Sequence, residues 1–143
     1  MRGFELGGWI EFGVNLIKDG IAQYGMSSPI FTSSPIEPHY SEYLAFTGLS
    51  VDDEDNDHYL DTTLAYRQAC LQAIEYLTKF GYSGEQAYLL LSAAPIEARY
   101  SGVVDIPNAC ATLYIPTEIF EFDVRPSGEG PSSAVSGEAA SAG

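Results

Sequence analysis

Between residues 6 and 18 apolar and polar positions alternate, with Ile10, Phe12, Val14 and Leu16 on one side and Glu11, Gly13 and Asn15 on the other. A period of two belongs to a half-buried strand, so a strand is expected over 6–18. Asp19-Gly20 and Tyr24-Gly25 then supply two turn signals, which predict a hairpin or a loop before the short apolar run at Ile30 and Phe31. Pro29, Pro35 and Pro38 cannot donate to a ladder, and they hold 28–37 extended at an edge or across a surface. Residues 40–50 return to aromatic and branched positions in alternation. Residues 51–58 hold five acids, and Tyr59 and Leu60 resume the apolar pattern. That order predicts a hairpin with an acidic tip.

The period changes after residue 60. Asp61 or Thr62 can cap a helix in which Tyr66, Cys70, Ala73, Leu77 and Phe80 recur at steps of three and four, giving a helix over about 62–80 that stops at Gly81. Ser83 followed three positions later by Gln86 is a capping-box pattern and opens a second helix over about 84–93, which Pro95 ends. Two short strands are expected at 100–107 and 109–116, separated by Asn108, and one helical turn at 117–120. The fold class is therefore α+β, mainly antiparallel strands with the two helices packed together on one side. Residues 1–125 form the folded part, and 126–143, mostly Ser, Gly, Ala and Glu, read as a disordered tail.

A hydrophobic fraction of 45% with 13% aromatic residues supports a packed core in a chain of 143 residues. Six basic against twenty acidic residues give a formal charge of -14, which excludes nucleic acid and anionic membrane surfaces as partners. No apolar run approaches the roughly 20 residues needed to span a bilayer, and the first residues do not read as a signal peptide, so the expected address is cytoplasmic. Cys70 and Cys110 lie in apolar surroundings without metal-ligand spacing. They read as reduced thiols, with a disulfide between them as the alternative.

Few side chains suggest chemistry on their own. Glu37 and His39 share a loop that prolines hold rigid, and loops on a rigid frame often carry function; a plain polar loop is the other reading. Glu97 and Arg99 stand two apart, hence on one side of an extended segment, as an ion pair or as two groups of a substrate pocket. Asp105 before Ile106-Pro107 reads as a turn acceptor. The acidic run 52–57 misses the calcium-loop pattern, since counting from Asp53 the positions for glycine and glutamate hold His58 and Leu64. Cys70 sits mid-helix beside Ala69 and Leu71 with no activating base in its motif, so a catalytic cysteine nucleophile is not indicated.

Three stretches carry a resemblance: SPIEPHYSEYL at 34–44, AYRQACLQAIEYLTKFGYSGEQAYLLLS at 65–92 and GVVDIPNACATLYIPTEIFEFDVRP at 102–126. Together they resemble the C-terminal portion of the acetamidase/formamidase family, and the first resembles its formamidase branch in particular. The resemblance implies a β-rich fold, homo-oligomers, and hydrolysis of small linear amides, formamide foremost, to a carboxylate and ammonia. It implies a divalent metal, zinc by preference, held in the full-length enzyme by a His and acid segment of the form G-D-x-H-x-x-Q-G-D-G-E, for which nothing in this chain stands in. It places Glu5 where the family has an acidic residue just after that segment.

On this reading the catalytic carboxylate candidates are Glu5, Glu37 and Glu97, the substrate-binding candidates are His39 and Arg99, and no metal ligand is assigned. A metal would activate water and polarise the carbonyl, with a carboxylate moving the proton. The chain is accordingly expected to be a fragment that lines a pocket and is inactive alone. The alternative is a non-catalytic module that assembles with a full-length amidase.

Overall fold

The computed structural model describes residues 7–9, 11–25, 27–28, 40–103, 108–128 and 130–131. The chain divides into two units, Phe4–His39 and Tyr40–Gly143 together with Met1–Gly3.

In the smaller unit, helix α1 (Gly20–Gln23) is a single turn entered through Asp19 in the left-handed region, φ 57°. The two turn signals are thus met by one helical turn, with Gly25 leaving it at φ 59°. The strand expected over 6–18 is not formed among the described residues, where this segment has no ladder partner. Alternation marks which side chains would share a face, but a strand exists only where a second backbone takes its hydrogen bonds. Trp9 and Leu16 are each 85% exposed.

The larger unit is a three-stranded antiparallel sheet with two helices on one face. In chain order it runs β1 (Tyr43–Leu49), α2 (Thr62–Thr78), α3 (Gly84–Ala93), β2 (Glu97–Gly102) and β3 (Cys110–Pro116), with spatial order β1-β3-β2. The α+β class expected from the pattern is the observed one. β1 pairs with β3 through Phe46↔Leu113 and Gly48↔Ala111. The hairpin expected between 40–50 and 59–60 does not form. Asp61 accepts the Leu64 amide at 2.9 Å and caps α2, so the chain leaves the acidic loop as a helix. The loop itself is closed by a lone bridge between Val51 and Asp57.

Both helix boundaries follow local chemistry. α2 ends before Gly81, whose φ of 99° suits a residue without Cβ. Ser83 and Gln86 form the reciprocal capping box of α3, which ends at Ala94 before Pro95. β2 begins at Glu97, earlier than the 100–107 expected, and residues 104–107, including Asp105, lie outside the described residues. The helical turn after β3 is a 3-10 turn, Thr117–Ile119.

α2 buries Ala65, Ala69, Ala73 and Leu77, one residue at each i, i+4 step, while Tyr66 and Cys70 flank this stripe half-buried. The contact line is therefore one position away from the larger apolar residues, because small side chains let the helix axis approach the sheet. Gly48 on β1 completes that approach: a Cβ there would overlap the backbone of Ala65 and Ala69. Ala111, Leu113 and Ile115 of β3 face the helices and are fully buried. Burial of a side chain such as Leu113 or Ile115 contributes about 1.5–3 kcal/mol each. Phe46, Tyr76, Phe80 and Phe122 continue the core as a run of aromatic contacts, and Tyr76 Oη donates to the Val124 carbonyl at 2.5 Å, holding the segment after β3 against α2.

Candidate functional site

The face of the sheet turned away from the helices carries the sequence's clearest polar pair. The register sets Glu97 opposite Tyr114 and Arg99 opposite Thr112, so both project from this face beside β3. Arg99 Nη2 lies 3.2 Å from Glu97 Oε2, and the guanidinium stands 5.1 Å from the centroid of the Tyr114 ring. Tyr43 meets Tyr114 edge-on at 6.2 Å. The Glu97 and Arg99 side chains are 59% and 69% exposed, so their attraction is weak in water. The ion-pair reading of these two residues is the observed geometry.

A second polar cluster is the acidic loop between β1 and α2. Asp52 Oδ1 accepts the amides of Glu54 and Asn56 at 2.9 Å, and its Oδ2 lies 2.8 Å from His58 Nε2. The His58 contact, then the Asn56 amide, hold the Asp52 carboxyl well below the usual carboxylate range. Ser50, fully buried, anchors the loop: its carbonyl accepts the His58 amide at 2.8 Å and its Oγ accepts the Ala109 amide at 2.8 Å. A cavity of about 430 Å³ lies beside it, lined by Thr47, Asp52, Asp53, Asp55, Gln68 and Gln72.

The third cluster lies near the chain's end. Arg125 grips Asp123 with Nε at 2.8 Å from Oδ1 and Nη2 at 2.7 Å from Oδ2, and reaches Glu42 at 3.5 Å. This bidentate bond lowers the Asp123 carboxyl to about 2. Arg125 and Lys79 border a cavity of about 260 Å³ floored by Tyr76 and Phe80.

None of these clusters fits a divalent metal. Among the described residues no group of three or more His, Cys, Asp or Glu side chains converges, and the Asp52 oxygens are already committed to the loop's own donors and His58. Cys70 and Cys110 are free and half-buried. Burial raises the Cys70 thiol, and burial followed by the Cys70 contact raises the Tyr66 phenol to about 12, so both stay protonated at neutral pH.

Of the residues singled out from sequence, Glu97 and Arg99 are brought together, and neither lines the cavities beside Asp52 or Arg125. Glu5, Glu37 and His39 lie outside the described residues. Sequence reasoning met His58 only as a mismatch to the calcium-loop pattern and passed over Arg125. The available signals were short: Asp52, Asn56 and His58 within one turn, and Asp123 two residues before Arg125.

Comparison with known proteins adds what the geometry leaves open. Over 127 residues the chain is 61% identical to a formamidase of Methylophilus methylotrophus, a match covering 89% of this chain and 31% of that protein. It is 56% identical over 95 residues to an acetamidase of Mycolicibacterium smegmatis, covering 65% of this chain and 23% of the relative. Its fold matches the gamma lactamase from Delftia acidovorans with a TM-score of 0.81 and 61% identity, covering 85% of this chain and 30% of that one. The chain thus spans about a third of the length of the relatives it matches. Among the described residues no helix is long and apolar enough to cross a membrane. The model of the Acetamidase/Formamidase family matches residues 2–122, and the chain belongs to that family.

Proposed function

We propose that this chain is part of an amide hydrolase that converts formamide and water to formate and ammonia. The observation that carries this reading is the 61% identity, over 127 residues, to a protein that is a formamidase. In the reaction water adds to the carbonyl carbon, the C–N bond breaks, and the nitrogen leaves with a proton as ammonia. No step is assigned to a metal, because among the described residues no group of three or more His, Cys, Asp or Glu side chains converges. Glu5, Glu37 and Glu97 as site carboxylates, with His39 and Arg99 on the substrate, remain part of the proposal through the resemblance. The reading also includes a cytoplasmic address, in keeping with two free cysteines, and a homo-oligomer.

The test is a chimera. The 127 matched residues replace their counterpart in the Methylophilus formamidase, and ammonia release from formamide and acetamide is measured beside that of the 143-residue chain. The chimera is expected to hydrolyse formamide in preference to acetamide, and the chain alone to release no ammonia. A folded chimera with no activity on either amide would sink the reading.

A further inference from the structure

We propose that the outer edge of β2 is an interface between two copies of this chain, paired antiparallel about a two-fold axis at Ala98; the proposal sharpens the homo-oligomer part of the reading above. β3 takes one edge of β2, and among the described residues no strand takes the other. Glu97, Ala98, Arg99, Tyr100 and Ser101 are all exposed, and Tyr100 keeps 65% of its surface in water on the helix side of the sheet. An edge of free amides and carbonyls is a template for another strand.

The charges on this edge choose the partner and the register. With Ala98 opposite its own copy, Glu97 of each protomer faces Arg99 of the other, so the Glu-Arg pattern complements itself twice. A slip of two residues in either direction sets Arg99 against Arg99 or Glu97 against Glu97, which repel. A slip of one inverts the faces of one sheet relative to the other. In the favoured register Ile96 stands across from Tyr100 on the helix side at both ends, covering the exposed ring. The bulge after Tyr100 bends the strand away and confines the pairing to its first half. β1, the opposite edge, carries no charged residue from Tyr43 to Leu49 and has no comparable code.

A contact of this size belongs to the small, reversible class of interfaces, so association depends on concentration. Sedimentation equilibrium of the 143-residue chain is expected to show a species of twice the 15.5 kDa of one copy at the upper end of a concentration series. Glu97→Arg and Arg99→Glu each set like charges opposite one another, and each variant alone is expected to stay at the mass of one copy. Mixed in equal amounts, these two variants present two Arg against two Glu and are expected to recover the double mass. An ion pair acting only within one chain predicts no such recovery. Circular dichroism on each variant verifies that the exposed substitutions leave the fold intact.

A wild-type chain of single mass at every concentration, or a mixture that stays monomeric, overturns the proposal. Association untouched by either substitution also overturns this interface, while leaving the homo-oligomer reading in place. The amidase reading is tested separately, by the chimera; only its placing of Glu97 and Arg99 at the substrate is exclusive with this interface, and that placing falls if the mixed variants recover the double mass.

Discussion

Ser50 and Ala109 exchange two hydrogen bonds: the Ser50 amide donates to the Ala109 carbonyl at 3.0 Å, and the Ala109 amide donates to Ser50 Oγ at 2.8 Å. The side chain is fully buried, so its oxygen satisfies a donor that water cannot reach. Ser50→Ala is expected to destabilise the chain by about 1–3 kcal/mol, the cost of an unpaired buried amide. Urea unfolding followed by circular dichroism measures it. A change within error would mean that water or a backbone shift takes over the bond.

Helix ends were legible because their causes are local. Asp61, Gly81, Ser83 and Gln86 each act within four residues, and each is found in the role its position predicts. Strand pairing was not legible in the same way. β1 meets β3 across the whole of α2, α3 and β2, and no neighbouring residue announces that partner. The hairpin expected at the acidic run failed because the Asp61 cap committed the chain to a helix where a returning strand was expected.

Gly48 is the position at which the sheet tolerates least. Its missing side chain is the space occupied by the backbone of Ala65 and Ala69, and helix backbone cannot yield as the end of a flexible side chain can. Gly48→Ala is expected to cost at least about 2 kcal/mol, at the upper part of the range for overpacking. The midpoint of denaturant unfolding should fall at unchanged slope. A stable Gly48→Ala protein would show that α2 can slide on β1.

The capping box of α3 offers a smaller and more local test. Ser83→Ala removes the acceptor for the Gln86 amide while Gln86 keeps its bond to the Ser83 amide. Loss of about 1 kcal/mol is expected. Hydrogen exchange should quicken in the first turn of α3 before it does in α2. Uniform quickening in both helices would show that the two open as one unit.

The polar clusters were legible only where spacing and contact coincide. Glu97 and Arg99 meet because residues two apart on a strand share a face, a rule that sequence alone applies. Asp52 and His58 meet because a turn containing Asp55 at φ 62° folds the loop back, and no periodicity encodes that. Arg125 joins Glu42 through the packing of Val124 and Tyr76, which brings distant ends of the unit together. The family itself was legible through likeness carried by whole segments, with no single motif sufficing.

Two depressed carboxyls make stability depend on acid. Asp123 is lowered to about 2 by Arg125, and Asp52 is held well below its usual range by His58 and the loop amides. In the unfolded chain both return to the ordinary value for Asp, about 3.9, so in acid the unfolded state binds more protons. Their stabilisation is complete above that value and is lost as pH falls through the folded values. Both groups are solvent-facing, which keeps each contribution small.

The background moves with pH as well, because protonating other acids relieves the repulsion of a chain carrying -14. Wild type must therefore be compared with Asp52→Asn and Asp123→Asn. Thermal melts between about pH 5 and pH 2 should show a shallower loss of stability in each variant than in wild type. Parallel curves would mean that these hydrogen bonds persist in the unfolded chain or do not form in solution.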